Sequence, residues 1–114
     1  MSQSPLCKAY GHVYPCGDAL YGALARAVAG AMGQDEEEAV LVREGDMARI
    51  SFEGIYFPVE EVVQALREHL TPAMRGKLDY LDLEDWRLTR YRLEEGEVRP
   101  SSAPLNNVLA FSGH

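Results

Sequence analysis

The sequence predicts a small α+β domain, with elements in the order α-β-β-β-α-β-β, a mainly antiparallel sheet and helices packed on one face. Two observations lead to this prediction. Residues 40–57 contain short segments in which apolar side chains alternate with polar ones, as in half-buried strands. Residues 59–70 then place their apolar side chains at helical spacing on a single stripe. We therefore expect one face of the sheet to lie beneath a helix.

At 114 residues, the chain is expected to form a single domain over residues 1–114. Its 46% hydrophobic content is typical of a folded chain rather than a disordered one. Residues 1–16 are predicted to be an irregular N-terminal segment, because prolines and a glycine interrupt any period, although a short strand there remains an alternative. Residues 101–114 are predicted to be a C-terminal tail.

The first helix is predicted to run from about Ala19 to Met32. Asp18 is a favourable N-cap residue, since its carboxylate can accept a hydrogen bond from a free amide of the first turn. Gly33 is a common type of residue at a helix C-terminus. The acidic residues that follow are interpreted as a solvated connection to the first central strand.

The register of the central strands depends on two turns. A turn at Glu53-Gly54 would make a hairpin that places Phe52 opposite Ile55. The predicted buried face of the sheet then consists of Val40, Val42, Ala48, Ile50, Phe52, Ile55 and Phe57.

The upstream loop leaves two registers open. A two-residue loop at residues 45–46 would pair Val42 with Arg49, whereas a three-residue loop at residues 44–46 would pair Val42 with Ala48. We prefer the three-residue loop, because a slip of one residue would turn the apolar set of the strand towards water.

The second helix is predicted between Pro58 and Thr71. Proline suits the first turn of a helix, and the residue before Pro72 is disfavoured in helical geometry. The apolar stripe consists of Val59, Val62, Val63, Leu66 and Leu70. Burial of one large aliphatic side chain contributes roughly 1.5–3 kcal/mol, so this stripe should dominate the packing of the helix.

A second hairpin is predicted near the C-terminus. Residues 86–93 alternate as a strand does, and a loop at residues 94–97 would pair Leu93 with Val98. Pro100 has no amide hydrogen, so we expect the returning strand to be short and to lie at an edge of the sheet.

The charge of the chain limits its partners and location. A net charge of −7 argues against a general binder of nucleic acid or of anionic membranes, both of which need an electropositive surface. The N-terminus lacks the pattern of a secretory signal, which predicts a cytoplasmic protein with reduced thiols. We therefore expect neither a nucleic acid nor a membrane as partner.

Three residues near the N-terminus, Cys7, His12 and Cys16, have the chemistry of zinc ligands and follow the pattern C-x4-H-x3-C. A closed structural zinc site needs four ligands and usually contains a closer cysteine pair, so a fourth ligand would have to come from elsewhere in the fold. The candidates are Asp18, His69 and His114. Zinc is the one cofactor that the sequence suggests.

Cys16 also allows a second interpretation. It precedes the predicted first helix, and the positive potential at a helix N-terminus can activate a thiol. Asp18 opposes that effect, and His12 is the nearby residue that could act as a base. The alternative is a buried and unreactive cysteine.

The second hairpin is rich in arginine: Arg87, Arg90, Arg92 and Arg99. Guanidinium groups bind carboxylates and phosphates through two parallel hydrogen bonds, so the four side chains are candidates to contact an anion or the carboxylates of a partner. The alternative is a charged strand face that nearby acidic residues balance.

No motif in the sequence determines a chemistry; it has no glycine-rich phosphate loop, nucleophile elbow or H-E-x-x-H pattern. The sequence favours a non-catalytic cytosolic accessory or protein-interaction domain, which would bind a protein partner or associate with itself as a homodimer. The alternatives are a metal or thiol site at the N-terminus, and a small enzyme that holds an anionic ligand on the second hairpin.

Overall fold

The computed structural model describes residues 5–33 and 39–106. In chain order its elements are β1 (Cys7–Tyr14), α1 (Asp18–Val28), β2 (Met32–Gly33), β3 (Leu41–Glu44), β4 (Met47–Tyr56), α2 (Val59–His69), β5 (Arg75–Asp82), β6 (Arg87–Glu94) and β7 (Glu97–Pro104). The strands form one antiparallel sheet in the order β2-β4-β1-β5-β6-β7, and β3 also pairs with β4. Both helices pack on one face of this sheet, so the predicted fold class is confirmed.

The segment that was predicted to be irregular contains the central strand of the sheet. β1 pairs with β4 on one side and with β5 on the other. Its buried positions carry small side chains: Cys7, Ala9, Gly11 and Val13. The prediction was wrong because glycine and alanine have low strand propensity. At Gly11 the small residue is required by β5, because a Cβ atom there would lie 2.5 Å from the carbonyl oxygen of Lys77.

The predicted turn at Glu53-Gly54 is also wrong, because β4 is continuous across this position. A Cβ atom at Gly54 would lie 2.5 Å from the carbonyl oxygen of Met32 in β2 and 2.7 Å from Cζ of Phe52. The glycine is therefore required by the close approach of a neighbouring strand and an aromatic ring. Because β4 keeps its alternation, Ile55 lies on the face opposite Phe52 and is exposed.

The hairpin between β3 and β4 has a two-residue loop, so the preference for a three-residue loop is wrong. Val42 pairs with Arg49, and Glu44 pairs with Met47 across residues 45–46. Gly45 has a φ of 59°, which is the backbone conformation that glycine tolerates best. Val42 consequently lies on the face that the helices leave uncovered.

The two helices differ in how well their ends were predicted. α2 begins after Pro58 and ends at His69, as its apolar stripe indicated. α1 begins at Asp18, with Gly17 as its N-cap residue, and ends four residues before the predicted end. It stops early because Met32 and the glycine after it pair with β4 as β2.

The core lies between the helices and the covered face of the sheet. Its largest fully buried side chains are Phe57, Leu20, Leu24, Leu78 and Val62. The ring of Phe57 lies with its centroid 5.2 Å from that of Phe52 and 6.2 Å from that of Tyr80. These contacts join the connection between β4 and α2 to the sheet.

The C-terminal strands confirm the predicted pairing of Leu93 with Val98. The loop between them is formed by Glu95 and Gly96, both with positive φ. β7 lies at an edge, as expected from Pro100. It is not short, as the sequence predicted, but eight residues long. It therefore extends into residues 101–104 of the predicted tail, while residues 107–114 lie outside the described residues.

Candidate functional site on the uncovered sheet face

Among the described residues, both helices pack on the same face of the sheet, and we call the opposite face the uncovered face. Side chains that alternate with the buried ones form this uncovered face, which on β1 consists of Lys8, Tyr10, His12 and Tyr14. The pairing register extends the face over the other strands, because residues directly opposite each other in an antiparallel pair point to the same side.

Basic residues are concentrated on this face. Seven of the eleven Lys and Arg residues of the chain belong to it: Lys8, Arg49, Arg75, Lys77, Arg90, Arg92 and Arg99. Five of the acidic residues that the structure describes lie there too: Glu44, Glu53, Asp79, Glu94 and Glu97. The face thus carries a net charge of about +2, in a chain whose net charge is −7.

Five of the nitrogen-bearing side chains line up across the strands. His12 in β1 pairs with Arg49 of β4 on one side and with Lys77 of β5 on the other. Lys77 pairs in turn with Arg92 of β6, and Arg92 pairs with Arg99 of β7. We call these five residues the basic row. Neighbouring strands lie about 4.8 Å apart, so the row is roughly 19 Å long.

The two ends of the basic row are balanced by acidic neighbours. Arg49 forms an ion pair with Glu44 at one end. At the other end, Arg99 donates to Glu95 over 2.9 Å and to Glu97 over 3.0 Å. These ends therefore add little net positive charge to the face.

At the centre of the row, the charges of Lys77 and Arg92 are not balanced in this way. His12 and Arg92 are exposed and form no side-chain hydrogen bond or ion pair with the residues that the structure describes. Lys77 lies 3.5 Å from Asp79, but that carboxylate also accepts hydrogen bonds of 2.7 Å and 3.0 Å from Arg90. Because Arg90 already neutralises Asp79, little negative charge remains to balance Lys77.

The centre of the row borders a shallow, open cleft of about 490 Å³. The cleft is lined by Tyr10, Gly11, His12, Met47, Arg49, Ile50, Ser51, Lys77 and Asp79. Tyr10 donates a hydrogen bond of 2.6 Å to Glu53, and Lys8 lies 3.5 Å from the same carboxylate. Burial, followed by the hydrogen bond to Glu53, raises the pKa of Tyr10 to about 12, so its phenol stays protonated at neutral pH.

The chain matches no protein-family model, no curated protein and no solved structure. Its function is therefore inferred from the arrangement of its own side chains. Among the described residues, no helix has the length and apolar character needed to cross a membrane.

The structure separates the three predicted zinc ligands. Cys7 and Cys16 are buried free thiols in the core beneath the helices, whereas His12 is exposed on the uncovered face. Within residues 5–33 and 39–106, no three His, Cys, Asp or Glu side chains lie close enough together to hold a metal ion.

Both thiols lie in surroundings that favour the protonated form. Burial raises the pKa of Cys7 and of Cys16. Each thiol also points to a backbone carbonyl, that of Gly54 at 3.8 Å and that of Gly17 at 3.6 Å, respectively. Arg43 lies near Cys16 and lowers its pKa, but this effect is smaller than that of burial. A raised pKa reduces the thiolate fraction on which reactivity depends.

The four predicted arginines divide between the two faces. Arg90, Arg92 and Arg99 lie on the uncovered face, but Arg87 lies on the other side, where it donates to Ser102 over 3.3 Å. Sequence reasoning missed the members of the basic row that β1, β4 and β5 supply. The available signal was that polar or aromatic residues at positions 8, 10, 12 and 14 alternate with small or apolar ones at positions 7, 9, 11 and 13. This alternation indicates that residues 7–14 form a strand.

The basic row should cost the sheet some stability, because like charges directly opposite each other in an antiparallel pair are destabilising. Arg92 pairs with Lys77 on one side and with Arg99 on the other, and the repulsion from Lys77 should dominate because Glu95 and Glu97 offset the charge of Arg99. We expect Arg92→Thr to raise the free energy of unfolding by about 0.5 kcal/mol in urea denaturation.

The control is Arg87→Thr, which changes the same residue type on the same strand. Arg87 pairs with Asp82, so its loss removes an attraction and should not raise stability. Equal changes in the two variants would show that repulsion within the row has no measurable effect.

Proposed function

We propose that this protein is a non-catalytic, cytoplasmic protein-interaction domain that binds a partner protein through the uncovered face of its sheet. The observation that carries the proposal is the basic row, whose central members His12 and Arg92 have no ion-pair partner among the described residues. Placing like charges side by side opposes folding, and local features that oppose folding are typical of functional surfaces. A partner that supplies the missing negative charge would remove this repulsion.

Among the described strands, the outer edge of β7 has no partner strand, but this edge is less suitable for binding than the uncovered face. Pro100 and Pro104 lie on this edge strand, and each lacks the amide hydrogen that a further strand would need. This argues against strand addition at that edge, both for a partner and for a second copy of the chain.

A second copy is also disfavoured on the face itself. In a two-fold symmetric dimer, each partner uses the same surface patch, so two basic rows would oppose each other. Like-charge contacts of this kind destabilise an interface. These arguments favour a partner of different sequence over a homodimer.

Site-specific photocrosslinking in the native cells tests the proposal. We expect a photoreactive amino acid at Ser51, which lines the cleft, to give discrete adducts with a partner protein. The matched control is Gln64, which is exposed on α2 and faces away from the sheet. Mass spectrometry of each adduct gives its mass and identity.

Two results would contradict the proposal. The first is the absence of any adduct at Ser51, or the same adducts at Ser51 and Gln64, because the uncovered face would then have no specific partner. The second is an adduct of twice the mass of the chain at Ser51, which would identify self-association instead.

A further inference from the structure

The charge of the basic row indicates which part of a partner it contacts. We infer that the row binds an acidic segment of the partner protein, one that presents at least two Asp or Glu side chains to His12, Lys77 and Arg92. This inference rests on the proposed function, because it names the chemistry that the same surface would recognise.

The groups at the centre of the row suit carboxylates. The guanidinium of Arg92 can donate two parallel hydrogen bonds to one carboxylate, and the ammonium of Lys77 can donate to a second. Arg92 forms no ion pair with the described residues, so it is available without breaking an existing contact. Arg90 serves a different purpose, since its two hydrogen bonds to Asp79 hold that side chain in place.

The spacing of the row suits a chain of carboxylates rather than a single anion. Neighbouring members lie about 5 Å apart and second neighbours about 10 Å apart. Carboxylates at alternate positions of an extended segment lie about 7 Å apart. The long side chains of Lys77 and Arg92 can adjust to the mismatch between this spacing and the spacing of the row. The cleft beside them is shallow and open, so a single small anion would remain largely hydrated and screened.

The width of the row favours a protein segment over a nucleic acid. Along the strands, the positions two residues from the row carry Asp79 and Arg90 on one side and Arg75, Glu94 and Glu97 on the other, at about 7 Å, so they add no net positive charge. A nucleic acid would bring further phosphates against these carboxylates and against a chain of net charge −7. A narrow acidic segment can lie along the row and avoid them.

Fluorescence anisotropy with the full chain and three labelled probes tests the inference. The probes are a peptide of alternating Glu and Ser, the same peptide with Gln in place of Glu, and a single-stranded DNA of equal charge to the first. We expect the Glu peptide to bind about tenfold more tightly than the Gln peptide and than the DNA, and its affinity to fall as the salt concentration rises.

Variants then locate the site. The double variant Lys77→Gln with Arg92→Gln should weaken binding of the Glu peptide about tenfold. The matched control, Arg26→Gln with Arg67→Gln, removes the same charge from the exposed sides of α1 and α2 and should leave the affinity unchanged. Urea denaturation confirms that both double variants fold.

Three outcomes would overturn the inference: equal binding of the Glu and Gln peptides, tighter binding of the DNA, or equal losses in the two double variants. The photocrosslinking experiment shows whether the first two outcomes overturn only this inference or the proposed function as well. A protein adduct at Ser51, together with no preference for the Glu peptide, would retain a protein-binding face and reject an acidic segment as its ligand.

Discussion

Replacing Phe57 with alanine is expected to lower the free energy of unfolding by about 3–5 kcal/mol. The side chain is 2% exposed, and its ring lies between those of Phe52 and Tyr80. Alanine would remove these contacts and leave a cavity where β4 connects to α2. A domain of this size is typically stable by about 5–15 kcal/mol, so the variant should unfold at a much lower urea concentration.

The preceding residue provides the matched control. Tyr56 is also aromatic, but it is 47% exposed, so Tyr56→Ala should lower stability by less than about 1 kcal/mol. Urea denaturation of both variants, followed by circular dichroism, measures the difference. Similar losses in the two variants would show that Phe57 is not the aromatic anchor of this connection.

The second helix could be predicted from the sequence because its signals are local. An apolar stripe at helical spacing begins after Pro58, and Pro72 follows its end. Both signals depend on residues within a few positions of each other, so they do not require knowledge of the rest of the fold. The structure confirms a helix from Val59 to His69.

The central strand could not be predicted in the same way. The covered side of β1 carries small residues such as Ala9 and Gly11, whose size is fixed by what packs on them. A Cβ atom at Gly11 would lie 2.5 Å from the carbonyl oxygen of Lys77 in β5. That requirement comes from a strand more than sixty residues away in sequence, and no local pattern reports it.

The candidate site was predictable only in part, for the same reason. Arg92 and Arg99 could be placed opposite each other because a short loop sets the register of their hairpin. The row also needs Arg49, His12 and Lys77, which are brought together by long-range pairing of β1 with β4 and β5. Without β1 as a strand, these residues had no expected neighbours.

Replacing Gly54 with asparagine is expected to lower the free energy of unfolding by about 3 kcal/mol, the upper range for inserting atoms into a well-packed site. A Cβ atom at this position would lie 2.5 Å from the carbonyl oxygen of Met32 and 2.6 Å from Cα of Gly33. Backbone atoms cannot move aside as a flexible side chain can, so β2 should detach from β4. Urea denaturation gives the loss of stability, and hydrogen exchange of the Gly33 amide reports the detachment.

Asparagine is the informative replacement because it separates two roles of glycine. It tolerates positive φ better than most residues, so it should be accepted where glycine serves a turn. Gly45 is such a position, with a φ of 59° and no atom within 4 Å of its missing Cβ, and Gly45→Asn should cost less than about 1 kcal/mol. If Gly54→Asn were tolerated as well as Gly45→Asn, the close approach of β2 to β4 at this point would be contradicted.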